Sequence, residues 1–538
     1  MEGARDRLDK LVHDLKDVCL LLDGVESDQF AMHDVIRDVA ITFAHEEHHV
    51  FTTRNDVERD WKDRDKLKKC TMISLPSENT IISQLWPNDL DCPNLEYFNM
   101  TYIWNFSFKI PEGFFTVMPK LRVLNLVRLQ QTSLPSSIHH LKNLQTLCLD
   151  KSNIEGVPII GKLNKLKVLS LRNSYIKEFP TEMGQLTQLR LLDLSNCRNL
   201  KVIAPNVISK LSNLEELYLK ECPIQWKIEV LEELKLLSNL ASVELDIEDN
   251  KVIFPDLKVL VLMNIISRKI WDCQLPSSSF ENLKELTLRR CTKIKFVFPY
   301  TITKNLQQLQ YLEIKDCIDL EEIVAIEEIT EAAASVVFPE VTFLELENLP
   351  ELATFYPRIH TLEWPKLKRL EMKSCDKFKI FNSEPNSLCL DHKVIFPNLK
   401  VLELKSSLGE IWNKESSTYS YENLTHLTLF ECDKIKYVFP LSIAKSLQQL
   451  QHLKLTSCKV LEGIVAPEEG TKAVVNFSFP QVTKVNLLFL PEFTDFYPGI
   501  HTLEWPKLKE LMVRDCPKFK MISSEPNVPC FDQKINHD

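Results

Sequence analysis

The stretch LKELTLRRC, residues 283–291, places polar residues around two leucines in alternation, and the same pattern returns as LQYLEIKDC at residues 309–317. Side chains of a β-strand point to opposite faces in turn, so Leu286 and Leu288 share one face while Thr287 points to the other. A single short strand cannot bury its own leucines. The pattern therefore predicts many such strands stacked side by side over a common core.

The pattern LxxLxLxx(C/N) recurs along nearly the whole chain. Its first apolar positions are Leu95, Leu121, Leu144, Leu166, Leu189, Leu214, Leu240, Leu257, Leu283, Leu309, Val341, Leu367, Leu399, Leu424, Leu450, Val482 and Leu508. A weaker turn precedes them at Met72–Leu75. This pattern resembles the leucine-rich repeat signature, which implies an α/β solenoid of about 17 repeats, a horseshoe with a parallel β-sheet on its concave face.

A longer period overlies the short one. IHTLEWPKLK at residues 359–368 recurs unchanged at residues 500–509, and FPEVT at 338–342 recurs as FPQVT at 479–483. We therefore predict that a five-repeat block at residues 252–393 is duplicated at residues 394–534. Between the copies the Leu, Cys and Phe-Pro positions persist, whereas the predicted outward residues differ. Two interpretations stay open, an exchangeable interaction surface and ordinary drift of an exposed face.

Cysteines and tryptophans hold fixed places in the repeat. The chain has 15 cysteines, and eight of them follow a predicted strand, at Cys197, Cys222, Cys291, Cys317, Cys375, Cys432, Cys458 and Cys516. The odd total and the fixed position favour buried thiols over disulfides. Trp364 and Trp505, at the head of WPKL, are predicted to lie in the core.

Charge and hydropathy exclude several classes of function. Lys and Arg number 65 against 75 Asp and Glu, a net charge of −10, so there is no global positive field and we expect no nucleic-acid partner. The first residues, MEGARDRLDK, are too charged for a secretory signal, and no run of about eighteen apolar residues predicts a membrane span. A cytoplasmic protein is therefore expected.

Two amphipathic helices are predicted before the repeats. Apolar residues at helical spacing run from Asp9 to Leu22, and a second helix starts within AMHDVIRDVAITFA, where Asp34 is placed to enter the first turn. With fewer than about 70 residues, this piece is too small for a complete domain. The predicted division is residues 1–69 and a repeat domain at residues 70–538.

The motifs of the first 70 residues resemble those of plant intracellular immune receptors of the coiled-coil, nucleotide-binding (NB-ARC), leucine-rich repeat class. The resemblance rests on KLVHDLKDVCLLLDG at residues 10–24, Met32-His33-Asp34, RNDVERDW at residues 54–61 and LPxxIxxL-type repeats. It implies that residues 1–69 are a remnant of the winged-helix part of a nucleotide-binding module, and that Met32, His33 and Asp34 are an ADP-sensing latch. It further implies that the repeats recognise pathogen effectors or a guarded host protein and autoinhibit a nucleotide switch.

The chain departs from that family in lacking the phosphate-binding loop GxxxxGK[ST]. Its only Gly-Lys pair, Gly161-Lys162, is followed by Leu163. We therefore expect ADP or ATP in the full-length family but no cofactor and no metal in this chain. The run His45 to His49 matches the zinc motif HExxH, yet Thr52 occupies the glycine position of its extended form. We interpret the run as a solvated helix end, and we predict no catalytic residues and no enzyme.

The candidate protein-binding site is the predicted concave face. Its residues are Glu285, Thr287, Arg289, Arg290, Tyr311, Glu313, Lys315, Phe343, Glu345, Arg369, Glu371, His426, Thr428, Phe430, His452 and Lys454. The expected partners are a pathogen effector or guarded host protein and the nucleotide-binding module of a full-length receptor.

A second function stays open, that of a leucine-rich repeat adaptor, such as a ubiquitin-ligase substrate receptor or a signalling scaffold. An adaptor should carry its own N-terminal recruitment motif. Residues 1–70 carry the immune-receptor motifs instead, which favours the first function.

Overall fold

The chain folds into two compact units, residues 1–246 and residues 247–538. The computed structural model describes residues 2–23, 30–48, 50–51, 63–75, 91–101, 110–226, 228–234, 236–246, 257–265, 270, 280–325, 335–355, 361–378, 393–406, 421–467, 475–499 and 501–519. Within these ranges, no helix has the length and apolar character that a membrane crossing requires.

Helices precede the repeats in the first unit. They are α1 (Glu2–Asp17), α2 (Asp34–His48) and α3 (Arg64–Lys69), and the strands β1 (Leu22–Asp23) and β2 (Phe30–Ala31) pair antiparallel between the first two. Helix α2 begins at Asp34 as predicted. Helix α1 starts earlier and ends earlier than its apolar spacing indicated, because Cys19 adopts a left-handed φ of 59° and its N–H donates to the carbonyl of Lys16 at 2.9 Å.

The main sheet of the first unit is parallel, and its strands follow one another in chain order. They are β3 (Val50–Phe51), β4 (Met72–Leu75), β5 (Tyr97–Thr101), β6 (Val123–Val127), β7 (Thr146–Cys148), β8 (Val168–Ser170), β10 (Leu191–Asp193), β12 (Glu216–Leu219) and β13 (Ser242–Asp246). Behind it, β9 (Glu178–Phe179) pairs with β11 (Val202–Ile203). Strand β3 joins this sheet although it lies before residue 70, the predicted start of the repeats.

The main sheet of the second unit repeats this arrangement with strands in direct register. They are β14 (Val259–Met263), β15 (Glu285–Arg289), β17 (Tyr311–Lys315), β20 (Phe343–Glu347), β22 (Arg369–Lys373), β24 (Val401–Lys405), β25 (His426–Phe430), β27 (His452–Thr456), β30 (Lys484–Leu488) and β32 (Glu510–Arg514). In every predicted repeat, a main strand begins two residues after the first apolar position, as Glu285 follows Leu283. The prediction of a leucine-rich repeat solenoid is confirmed.

Short secondary elements return the chain from one main strand to the next. In the second unit the strand pairs are β16 (Phe296–Pro299) with β18 (Glu322–Ala325), β26 (Tyr437–Phe439) with β28 (Gly463–Val465) and β29 (Val475–Ser478) with β31 (His501–Glu504), and a three-strand set joins β19 (Ser335–Val337), β21 (Thr361–Glu363) and β23 (Lys393–Ile395). The helices are Ile228–Leu234, Tyr300–Thr303 and Leu441–Ser446, and single 3-10 turns lie at Phe114–Val117, Ser136–His140, Pro158–Lys162, Thr181–Gln185 and Ile208–Lys210.

The residue directly after most main strands adopts a left-handed backbone. Arg290, Asp316 and Asn348 have φ of 55°, 56° and 53°. This conformation turns the chain off the sheet and aims the residue's N–H at the next repeat, so that Asp316 N–H donates to Glu347 O at 2.9 Å. The conformation is uncommon for residues other than glycine, and here a backbone hydrogen bond compensates it.

An aromatic column fills the core of the second unit and is retained in both copies of the duplicated block. In the first copy, Trp364 is fully buried and stacks on Phe338 with ring centroids 4.3 Å apart, as predicted for a core residue. In the second copy, the equivalent Trp505 stacks on Phe479 at 4.8 Å and is half-buried. Such pairs contribute dispersion and burial beyond what one short strand could supply.

The predicted thiol positions are confirmed. Of the eight cysteines, seven are buried, Cys516 is partly exposed, and all eight are free thiols. The Cys197 Sγ donates to the carbonyl of Leu171 at 3.0 Å, and the Cys222 Sγ to that of Leu194, also at 3.0 Å. These two thiols therefore pack as small apolar groups and bind the backbone of the preceding repeat. Burial raises the pKa of the Cys375 thiol to about 12.

Candidate functional site

The first, third and fifth residues of the main strands in the second unit point away from the core, and we call them the outward face. Strand β15 shows the pattern, because Leu286 and Leu288 are fully buried while Glu285 is exposed and Arg289 half-exposed. The predicted residues on this face are Glu285, Thr287, Arg289, Tyr311, Glu313, Lys315, Phe343, Glu345, Arg369, Glu371, His426, Thr428, Phe430, His452 and Lys454. The structure places them on six strands of one sheet.

Arg290 was also predicted on this face, and the structure corrects that assignment. Strand β15 ends at Arg289, and Arg290 is the left-handed turn residue whose N–H donates to Lys315 O at 2.9 Å. The chain has already turned off the sheet at this position. Its side chain is exposed beside the face, not on it.

Three carboxylates line the centre of the face in the first copy of the block. Glu313, Glu345 and Glu371 occupy third positions in direct register on β17, β20 and β22, and their exposed fractions are only 4%, 7% and 7%. Parallel strands lie about 4.8 Å apart, so two neighbouring carboxylates would repel by about 3 kcal/mol at an effective dielectric constant of about 20. The row is stable only with cations close by.

Two lysines and two arginines supply those cations. Lys373 Nζ lies 3.0 Å from Glu345 and 3.1 Å from Glu371. Lys315 Nζ lies 3.0 Å from Glu345 and 3.5 Å from Glu313. The remaining contacts are Arg289 to Glu313 at 2.7 Å, Arg369 to Glu371 at 2.6 Å and Arg369 to Glu403 at 2.9 Å.

The pKa values follow from this network. Burial works to raise the pKa of Glu313, but hydrogen bonds from Tyr311 and Arg289 outweigh it and leave the pKa below its ordinary value. At Glu371, burial is likewise outweighed by hydrogen bonds from Arg369 and Lys373, so its pKa is also lowered. Glu313 and Glu371 are therefore charged near neutral pH. The first copy presents a face whose charges are compensated internally.

Aromatic side chains flank the carboxylates. The rings of Tyr311 and Phe343 stack with centroids 4.8 Å apart and an interplanar angle of 3°, and the Tyr311 hydroxyl donates to Glu313 at 2.6 Å. Both residues are partly exposed. A flat aromatic platform beside fixed charges is a surface that proteins commonly use to bind other proteins.

The second copy of the block places different chemistry on the same backbone. Lys454, Asn486 and Met512 replace the three central glutamates, and His426 and His452 stack with ring centroids 4.4 Å apart. Burial, then His452, then Arg369, lowers the pKa of His426. On the adjoining strand, Lys405 lies over the ring of Phe430 at 4.8 Å.

Several residues of the face were missed by the sequence prediction. Glu403, Lys373, Lys484 and Met512 occupy outward positions of β24, β22, β30 and β32. The sequence could have indicated them, because each occupies a variable position beside the buried apolar residues of the same repeat pattern. In the first unit, the Arg5 side chain of α1 reaches the outward residue Glu216 of β12 with N···O distances of 2.7 and 2.5 Å, which no local pattern indicates.

The three residues of the predicted latch lie at the start of α2 and are all exposed. His33 Nδ1 accepts from the N–H of Val35 at 3.3 Å, and Asp34 pairs with Arg37 at 2.8 Å. A diphosphate needs several converging donors, whereas Arg37 is already paired with two carboxylates, Asp34 and Asp38. The described residues here do not fit ADP by themselves, and no step of the function is derived through a nucleotide.

Other predicted features fall partly or wholly outside the described residues. Helix α2 contains His45 to His48, but the side chains of His45, Glu47 and His48 are not described, and His49 and Thr52 lie outside the described ranges, as do residues 54–61. Across the part of the chain that the structure describes, no group of three or more His, Cys, Asp and Glu residues could hold a metal ion.

Two known protein-family models match the repeats of this chain. The family model described as plant disease resistance protein RPS2-like, leucine-rich repeats, matches residues 254–388 and 366–459, and a leucine-rich repeat region model matches residues 158–253. Residues 254–459 are therefore similar to the leucine-rich repeats of plant disease resistance proteins. The outward face described above lies largely within the first of these matches.

Relatives of this family are longer than the chain. Disease resistance protein At4g27190 of Arabidopsis thaliana is 25% identical over 483 residues, which are 74% of this chain and 48% of the relative. Probable disease resistance protein At4g27220 of the same plant is 26% identical over 537 residues, 96% of this chain and 53% of the relative. The chain therefore spans about half the length of these two relatives.

Solved structures with similar folds include a chain of the Drosophila Toll–Spatzle complex. It is 16% identical, the match covers 84% of this chain and 63% of that chain, and the TM-score is 0.47.

Proposed function

We propose that this chain is the recognition part of a plant intracellular immune receptor, and that the outward face of its second unit binds another protein. The partner would be a pathogen effector or a host protein that an effector alters. In this proposal the chain acts in the cytoplasm and performs no chemistry of its own. An adaptor function stays the second candidate, but the family match favours the receptor.

One observation carries the proposal, namely the contrast between core and face in the duplicated block. The aromatic column persists from Phe338 and Trp364 to Phe479 and Trp505. Over the same strands, Glu313 becomes Lys454 and Glu345 becomes Asn486. A scaffold that holds its core while its face changes from acidic to basic and polar suits a protein whose specificity lies in that face.

A second part of the proposal concerns regulation. In the full-length receptor, the repeats would hold a nucleotide-binding module inactive until a partner occupies the face. Its support is the family resemblance together with the length of the relatives, of which this chain spans about half.

Genetic complementation tests the proposal. We expect plants in which the gene is disrupted to lose resistance to at least one strain of a pathogen panel. The wild-type gene should restore it. A variant carrying Tyr311→His, Glu313→Lys and Glu345→Asn, which copies the second block onto the first, should fold but fail to restore resistance.

A matched control changes three charged residues off the main sheet, Lys295→Gln, Lys366→Gln and Lys377→Gln, and should restore resistance fully. Their ion pairs with glutamates of neighbouring repeats are solvent-exposed, so little stability is lost. Unchanged resistance in the disrupted plants, or full restoration by the face variant, would show the proposal to be wrong.

A further inference from the structure

The two copies of the duplicated block differ in how their outward charges are compensated. In the first copy every central glutamate is bonded to a lysine or an arginine within 3.5 Å. In the second copy the central position holds Lys454, an exposed side chain. Among the described residues, no carboxylate oxygen lies within 4.0 Å of its Nζ. The second copy therefore presents a cation that the chain itself does not neutralise.

One lysine and two histidines flank Lys454 on the same face. His426, His452 and Lys484 stand at first positions in direct register on β25, β27 and β30. Among the described outward residues of this copy, the carboxylates are Glu403 and Glu510. Glu403 pairs with Arg369 at 2.9 Å, and the contact of Glu510 with Lys484, also at 2.9 Å, is between two partly exposed side chains. Such an exposed pair holds together weakly and can exchange partners.

Two polar atoms of this surface also lack a hydrogen bond. They are the Oδ1 of Asn486 and the Oγ1 of Thr456, both covered and neither bonded to any described group. The equivalent positions of the first copy hold Glu345 and Lys315, which bond each other at 3.0 Å. The second copy has thus lost this internal pair of the first, and it has gained the partly exposed pair of Lys484 with Glu510.

An acidic protein segment fits this surface better than a nucleic acid does. The face offers two lysines and two histidines over three adjacent strands, a span of roughly 10 Å, which suits two or three carboxylates of one extended segment. A nucleic acid would require a field that attracts many phosphates, whereas the chain carries a net charge of −10 and Glu431 and Asp515 border the face.

We propose that the outward face of β25, β27 and β30 binds an acidic segment of the partner protein, whose carboxylates pair with Lys454, Lys484 and the histidine pair. This inference rests on the proposed function and names the chemistry of the partner. The first copy then serves as a self-neutralised neighbour that leaves the acidic segment to the second copy.

Binding of a defined probe to the full chain tests the inference. The probe is a fluorescein-labelled 12-residue peptide of alternating Glu and Ser, its reference is the same peptide with Gln for Glu, and a 12-nucleotide single strand is the second competitor. We expect fluorescence anisotropy to show binding of the Glu peptide only, weakened at least fivefold when NaCl rises from 50 to 300 mM.

Variants locate the binding on the face. Lys454→Glu should weaken the peptide at least tenfold and Lys454→Gln at least threefold, while Lys445→Glu should change it less than twofold. Lys445 is another exposed lysine, on the helix Leu441–Ser446, outside the main sheet. Circular dichroism and urea midpoints equal to wild type confirm that all three variants fold.

Equal binding of the Gln peptide, tighter binding of the oligonucleotide, or equal losses in Lys454→Glu and Lys445→Glu would overturn the inference. Its failure is distinguishable from that of the proposed function. If the face variant fails to restore resistance but the Glu peptide does not bind, the receptor function stands and the acidic partner is wrong. If the Glu peptide binds but the face variant restores full resistance, the acidic-segment inference stands and the proposed receptor function is wrong.

Discussion

Trp364 offers the sharpest test of the core. Its side chain is fully buried, stacks on Phe338 at 4.3 Å and lies tilted against Phe355 at 5.8 Å, yet its Nε1 has no hydrogen-bond partner among the described residues. The same position of neighbouring repeats holds Phe338 and Phe396. We therefore expect Trp364→Phe and Trp364→Ala to differ widely.

The expected changes in the free energy of unfolding follow from the surface that each substitution removes from the core and from the unpaired indole N–H. Replacing the indole by a phenyl ring removes about 40 Å² of buried surface, or about 1 kcal/mol at about 25 cal/mol/Å². It also removes a buried N–H without acceptor, whose cost is about 1–3 kcal/mol. Trp364→Phe should therefore lie between unchanged and stabilised by about 2 kcal/mol, whereas Trp364→Ala should lose about 3–5 kcal/mol.

Urea unfolding of the full chain, with hydrogen exchange read on the peptide covering residues 361–373, measures these changes. Local exchange is needed because repeat proteins unfold in segments. Trp505→Ala is the matched control and should cost less, since Trp505 is partly exposed. A loss above 2 kcal/mol for Trp364→Phe, or below 1 kcal/mol for Trp364→Ala, would refute the reasoning.

Three further outcomes follow from the face and the thiols. Lys373→Met should lower the free energy of unfolding by about 1–2 kcal/mol at pH 7, less than the loss of a fully buried pair, because Lys373 is 31% exposed. Since the pKa of Glu371 is lowered, this loss should shrink in urea titrations below pH 4. The control Arg514→Met, at the equivalent position of the second copy, should cost under about 0.5 kcal/mol. The pKa of His426 is lowered chiefly by burial, so protonation of this side chain should weaken the fold as pH falls from 7.5 to 5.5. Wild type should therefore lose more free energy of unfolding over that pH range than His426→Gln, and equal losses would contradict the prediction. Iodoacetamide at pH 8 should alkylate the exposed Cys19 well before the buried Cys375, as mass spectrometry of the native chain would show, and equal rates would speak against buried thiols.

The repeats could be predicted because their signal is local. Two leucines spaced by one residue define a strand and its buried face, so Leu286 and Leu288 locate β15 from the sequence alone. The thiol position follows for the same reason, since Cys291 must lie where the chain turns back over the core. The outward direction of Glu313 and Lys454 then needs only the alternation of a strand.

The contacts across the face could not be predicted in the same way. Arg369 pairs with Glu403, 34 residues away, whereas Arg289 pairs with Glu313 after 24. Repeat length varies with the segments between strands, so the facing residues become known only when the strands are aligned. The prediction of Arg290 on the face was wrong for another reason. Strand β15 ends at Arg289, and Arg290 has a left-handed backbone that turns the chain off the sheet.

The central claim is that the outward face of the second unit contacts the partner, and site-specific photo-crosslinking in plant tissue tests it most directly. A photo-reactive residue would replace Thr428 on β25 and, as the reference, Lys445 on the helix Leu441–Ser446. The account predicts that pathogen-challenged tissue yields one crosslinked protein at position 428 and none at position 445. Crosslinks at position 445 with none at position 428 would contradict it.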